Sequence, residues 1–117
     1  MARDSRRDSM GCLTDAVAFY FNLHPERVPL FVFPRRGWLG RLKAFYQRRG
    51  CRIRWVRATK VPARGTHLVC GDSLKWKRAS HVVVYRNGRV VFDPSRPSQW
   101  TRARITHRLV VTRRNKR

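Results

Sequence analysis

Acidic side chains are scarce in this chain. Six of its 117 positions are Asp or Glu against 28 Lys and Arg, a net charge of +22. Long uncharged apolar runs are missing as well. None approaches the roughly 18 residues that a membrane span needs, so a transmembrane helix is not expected. The apolar stretch from Cys12 to Leu23 is interrupted by Thr14, Asp15 and Asn22 and lacks a small-residue cleavage site, so a secretory signal is not expected either. Cysteine is limited to Cys12, Cys51 and Cys70, an odd number at wide spacing. That argues against a disulfide framework and fits a reducing compartment. There is no C-x-x-C, and His24, His67, His81 and His107 are scattered, so neither a structural metal nor a cofactor is expected.

What is present can build a core. Hydrophobic residues make up 42% of the chain and 13 residues are aromatic, which opposes the disorder that so high a charge would otherwise favour. The length suits one domain. We place it at residues 8–112, between a basic arm at 1–7 and a basic tail at 113–117. Arg3, Arg6, Arg7, Arg113, Arg114, Lys116 and Arg117 account for only seven of the 28 cations, so the folded body is itself cationic. Such a body repels itself at low salt, and a polyanion, nucleic acid above all, would relieve that repulsion. Arg outnumbers Lys 23 to 5, which suits bidentate phosphate contacts but is also what GC-rich codon usage produces. No helix-turn-helix, zinc-finger or RNA-binding sheet signature is visible, so base-specific reading is not expected.

Residues 9–23, SMGCLTDAVAFYFNL, read as a helix capped by Asp8 or Ser9, with Leu13, Ala16, Val17, Tyr20 and Phe21 at helical spacing. Ala18 and Phe19 make it apolar on most sides, the mark of a buried helix. His24-Pro25 ends it, and Pro29 and Pro34 make the next stretch a surface connection. Residues 38–49 form a second helix with Trp38, Leu39, Leu42, Phe45 and Tyr46 inward, closed by Gly50. Strands follow at 52–57, 66–70, 81–86, 89–93 and 103–111, with Ile53 and Trp55 on one face of the first. Asn87-Gly88 marks a hairpin. Two helices and then an antiparallel sheet make the fold class α+β.

Cys12 follows Gly11 in what reads as the first turn of the buried helix. Unpaired N–H groups and the positive end of the helix dipole would favour a thiolate there, with Arg6 and Arg7 adding to the effect. Gly11 leaves room for a substrate. An inert buried thiol is the other reading of an isolated Cys. A nucleophile also needs a base, and the base an orienting acceptor. His81 opens one strand of the hairpin and Asp93 closes its partner. A two-residue Asn87-Gly88 turn would set His81 opposite Pro94, with Asp93 on the other face. A three-residue loop of Arg86, Asn87 and Gly88 pairs Tyr85 with Arg89, Val83 with Val91 and His81 with Asp93, whose Cβ atoms would then lie about 5 Å apart. We adopt the second register.

These residues resemble a family. Gly11-Cys12 on an N-terminal helix, Ser80-His81-Val82-Val83-Val84, a Gly turn and Asp93-Pro94-Ser95 are similar to short phage-encoded papain-like cysteine peptidases related to the bacteriocin-processing peptidases. Pro25-Glu26-Arg27-Val28-Pro29-Leu30-Phe31 matches the P-x-x-V-P-x-F that commonly follows the first helix there. The likeness covers roughly residues 8–97. It implies a papain-like fold and a peptidase or amidase acting on a peptide or protein, in the host cytoplasm or the virion. It further implies Cys12 as nucleophile, His81 as general base and acid, and Asp93 as the group that orients His81. One departure stands out. The family usually carries a glutamine several residues before the cysteine, whose amide helps to hold the oxyanion, whereas this chain has only Gln47 and Gln99. The Cys12 N–H is then one donor, with Arg6, Arg7 or Ser9 as the second. Losing such a donor costs roughly 3 kcal/mol of transition-state stabilisation. A strongly basic nucleic-acid-binding or virion-associated protein, with its catalysis decayed, is the alternative.

The stretch Gly71–Ser80 precedes His81 and should border the cleft. Its Lys75, Trp76, Lys77 and Arg78 interleave charge with an indole and could grip an acidic peptide or stack on a base. His24, His67 and His107 read as structural or exposed, and Cys51 and Cys70 as small buried side chains.

Overall fold

The apolar spacing that begins at Leu13 belongs to a helix that starts well before it. In the computed structural model, which describes residues 5–32, 36–72, 80–94, 100 and 104–113, with side chains from residue 11 onward, helix α1 spans Ser5–Phe21. Residues 5–7, expected in an arm, therefore belong to the helix. It also stops short of His24-Pro25. Asn22 turns left-handed (φ 57°), and the Leu23 and Asn22 amides close back onto the carbonyls of Ala18 and Phe19 at 2.8 and 3.1 Å. That pair of bonds is a Schellman closure, with Asn in the place glycine more often takes.

The segment after α1 is pinned inward rather than laid over the surface. Pro25–Arg27 form a single 3-10 turn, capped by the His24 ring accepting from the Glu26 amide. Val28 and Phe31 are buried, and the Thr14 hydroxyl donates to the Pro29 carbonyl at 2.6 Å. The Arg41 guanidinium donates twice to the Phe31 carbonyl, at 3.1 and 2.7 Å, which fixes the entry to the second helix. Pro34 lies outside the described residues. Helix α2 spans Trp38–Gln47, two residues shorter than its sequence pattern, and Gly50 (φ 78°) follows it in the left-handed region.

Five strands complete the chain: β1 (Cys51–Arg57), β2 (Thr66–Asp72), β3 (Ser80–Arg86), β4 (Arg89–Phe92) and β5 (Ile105–Arg113). They form one antiparallel sheet in the order β1-β5-β2-β3-β4, so the last strand inserts between the first two. The expected α+β class is what the structure shows.

Alternation along the strands divides the buried residues in two. Cys51, Ile53, Leu68, Cys70, Val82, Val84 and Leu109 face the helices and join Leu13, Ala16, Val17, Leu42, Phe45 and Tyr46 in the main core. Fully buried aliphatic and aromatic side chains such as Phe31, Leu42, Leu68 and Leu109 each contribute roughly 1.5–3 kcal/mol relative to exposure. The opposite face carries a smaller cluster, Val69, Val83, Tyr85 and Ile105, with Val61 and Trp100 packed on it.

The hairpin register differs from the expected one. Asn87 (φ 52°) and Gly88 (φ 82°) form a tight two-residue turn that pairs Arg86 with Arg89 and Tyr85 with Val90. Both residues have positive φ, as a turn that follows strand twist requires. Val91 is then bulged out, and pairing resumes at Val84 with Phe92. The bulge changes the parity of everything after it. Phe92 turns to the helix side, where it stacks on Phe19 with ring centroids 4.7 Å apart. Asp93, the next residue along, turns back to the face that His81 shares with Val83 and Tyr85 and meets the His81 ring there. The loop expected to bring Asp93 opposite His81 is absent, and the bulge makes the two diagonal neighbours instead.

Candidate active site

His81 is the second residue of β3 and is buried. Its Nε2 lies 2.6 Å from Oδ1 of Asp93. An ionised carboxylate only accepts, so Nε2 must carry the proton and donate it to this bond. In a neutral ring that leaves Nδ1 as the basic nitrogen, the one nearer the β3 backbone.

The Cys12 thiol meets the same stretch of backbone from the helix side. Its sulfur lies 3.8 Å from the Ser80 carbonyl, to which the S–H donates, and accepts from the Val82 amide. The sulfur therefore contacts the main chain on both sides of His81. Ser80 also hydrogen-bonds the Cys70 thiol, which burial pushes above its ordinary pKa.

The electrostatics of Cys12 differ from the sequence expectation. Because α1 begins at Ser5, Cys12 lies seven residues inside the helix, beyond the unpaired N–H groups and the dipole's end. Its own N–H belongs to the helix ladder and is not an oxyanion donor. Burial pushes the thiol up to about 12; the Val82 amide offsets part of this, while Cys70 and Asp15 add to it. The resting group is a neutral thiol. Arg6, Arg7 and Ser9 lie on α1, but their side chains are outside the described residues, as are Lys75, Trp76, Lys77 and Arg78.

Three further residues build the surroundings of His81, and the sequence reading assigned none of them a role. Gly71 pairs with His81 across the β2–β3 ladder. A Cβ on Gly71 would lie 2.6 Å from the Arg104 carbonyl oxygen and 2.9 Å from the Trp100 ring, so only glycine admits this approach. The Trp100 indole covers the glycine, sits 6.1 Å from the His81 ring and donates Nε1–H to the Tyr85 hydroxyl at 2.9 Å. The signal for this contact was Gly71 itself, which continues a strand that the sequence reading ended at Cys70.

The other histidines serve locally. His24 caps the 3-10 turn, His67 bonds the Arg64 carbonyl and His107 stacks on Trp55. Cys51 and Cys70 are buried free thiols. Among the described residues, no group of three or more His, Cys, Asp and Glu could hold a metal, and no helix is long and apolar enough to cross a membrane. Comparison with family models, curated proteins and solved structures matches this chain to none of them.

Proposed function

We propose that the chain is a papain-like cysteine hydrolase, a peptidase or amidase, in which Cys12, His81 and Asp93 form the reacting centre. The observation that carries this reading is the 2.6 Å bond between His81 Nε2 and Asp93, at a point where the Cys12 sulfur contacts the backbone on both sides of His81. Asp93 holds the ring and fixes its tautomer. The thiol approaches β3 from the helix face and the ring lies on the other, so the thiol proton passes to Nδ1, the ring nitrogen nearer the strand backbone that separates them. The thiolate then attacks an amide carbonyl, and His81 returns the proton to the leaving nitrogen. Water, deprotonated by the same ring, releases the acyl group and restores the thiol. A thiol lifted to about 12 does not ionise alone near neutral pH, so this route depends on the imidazole.

Iodoacetamide labelling at neutral pH tests it. Cys12 should be alkylated at least tenfold faster than Cys51 and Cys70, and His81→Ala should abolish the difference. Equal, slow labelling of all three thiols removes the hydrolase reading.

A second reading, a basic nucleic-acid-binding protein on the same fold with decayed catalysis, is favoured by the +22 charge and by the placement of Cys12 inside its helix.

A further inference from the structure

The face of the sheet turned away from the helices is covered unevenly. At its β2–β3 end, Val61 and Trp100 pack over Val69, Val83, Tyr85 and Ile105. At its β1–β5 end the register places Arg52 beside Thr112, Arg54 beside Val110 and Val56 beside Arg108, and Arg108 in turn beside Val69. Ile53 and Leu109 point to the helices, so Arg52, Arg54 and Arg108 share the open face. Arg52, Arg54 and Thr112 are exposed, while Arg108 and Val110 are half-buried.

Three guanidinium groups thus occupy two adjacent strands, with those on Arg52 and Arg54 rooted about 6.7 Å apart along one of them. Neither β1 nor β5 contains a carboxylate, and among the described residues none of the three arginines has an acidic partner. Asp93, which shares their face, lies beyond β4, about 14 Å of strand spacing from β5, and already holds His81. At physiological salt that separation exceeds the Debye length of about 8 Å, so Asp93 does not neutralise the stripe.

Resting on the nucleic-acid reading above, we infer that this stripe is a docking surface for the phosphate backbone of a duplex nucleic acid. Guanidinium forks match phosphate oxygens bidentately, and the short side chains of Val56, Val110 and Thr112 between them present no barrier to close approach. None of the stripe residues is aromatic, so stacking on unpaired bases is not part of the mode, and the contact is independent of sequence. The surface does not use the Cys12 thiol.

Fluorescence anisotropy with a labelled 20-base-pair DNA duplex, repeated with its RNA counterpart, measures affinity between 50 and 200 mM salt. Removing three phosphate contacts should lower the slope of log affinity against log salt by about 2.7. The triple substitution Arg52→Gln, Arg54→Gln, Arg108→Gln should show that loss. The double Arg52→Gln, Arg54→Gln, confined to exposed positions, should show about two-thirds of it, so the result does not depend on the half-buried Arg108. A charge-matched control on the helical side, Arg27→Gln, Lys43→Gln, Arg48→Gln, should change the slope by less than one. Equal losses in the two triple variants would overturn the stripe while leaving nucleic-acid binding standing. No salt-dependent binding by the unaltered chain would overturn both. So would arginine-dependent binding to phosphatidylserine vesicles without duplex binding.

Discussion

Asp93 reaches the His81 ring because Val91 is one residue too many for the β3–β4 ladder. The Asn87-Gly88 turn alone sends Asp93 to the helix face, and the bulge at Val91 sends it back. Side chains alternate with a period of two, so a single residue decides the face. Deleting Val91 should close the ladder without a bulge and leave Phe92 opposite Val84 and Asp93 on the face of His81, whereas inserting one alanine after Phe92 should turn Asp93 to the helix face and separate it from His81. The expected cost of the insertion is about 1–3 kcal/mol in urea unfolding, mostly from the lost hydrogen bond to the carboxylate. In NMR, the His81 ring should keep its fixed Nε2–H tautomer in the deletion variant and lose it in the insertion variant. An insertion variant that keeps both the tautomer and the stability would show that the contact does not depend on the parity of Asp93.

The elements were legible because their signals are local. Helical spacing in residues 13–21 and 38–46, alternation in 52–57, and Asn87-Gly88 each identify an element without tertiary context. The start of α1 was not legible. Ser9 and Asp8 are good caps, yet the helix runs on to Ser5, and this moved Cys12 from the helix end to its interior. A cap residue only offers an alternative to the helix ladder, and the interior position can win. The face of Asp93 was inferred correctly from an incorrect turn, since a three-residue loop and a two-residue turn followed by a bulge give it the same parity. Trp100 escaped notice because the polar run around it carries no periodicity, and its role depends on Gly71, some thirty residues earlier.

Stability should fall at alkaline pH through Cys12. Its folded pKa is raised to about 12 from an ordinary 9.0, chiefly by burial. Below pH 9 both the folded and the unfolded thiol are protonated, and this group adds no pH dependence. Between pH 9 and about 12 the unfolded chain releases a proton that the folded chain keeps, so stability falls by up to about 1.4 kcal/mol per pH unit. Cys70, also raised by burial, acts in the same direction. Urea midpoints measured from pH 8 to 10.5 should decline, and Cys12→Ala should flatten the decline. An unchanged slope in that variant would mean that Cys12 is not held as a buried thiol.

Tyr46 is fully buried, and its hydroxyl has no hydrogen-bond partner among the described residues. Burial also pushes its ionisation well above the ordinary phenol range, so the group stays neutral. An unsatisfied buried hydroxyl costs about 1–3 kcal/mol, while the ring packs against Phe21 and Tyr20 whether or not the oxygen is present. Tyr46→Phe should therefore be neutral or stabilising by about 1 kcal/mol in thermal unfolding. A loss above 1 kcal/mol would reveal a polar partner for the hydroxyl.

Trp100 and Gly71 provide the closest test of how the His81–Asp93 pair is kept dry. Trp100 covers Gly71, faces the His81 ring and is anchored through Tyr85, so it shields one side of the imidazole. Gly71→Ala places a methyl within 3 Å of both the Arg104 carbonyl and the indole, and the indole must move. We expect about 1–3 kcal/mol of destabilisation from the clash. Trp100→Phe keeps the ring's position but removes the N–H donor, at about 1 kcal/mol. If shielding matters to the chemistry, Gly71→Ala should also slow Cys12 alkylation at neutral pH, where it depends on His81, and have less effect at pH 11, where hydroxide can deprotonate the thiol directly. Trp100→Phe, which still covers the ring, should retain most of the neutral rate. Equal slowing at both pH values in both variants would reduce Trp100 to a packing residue.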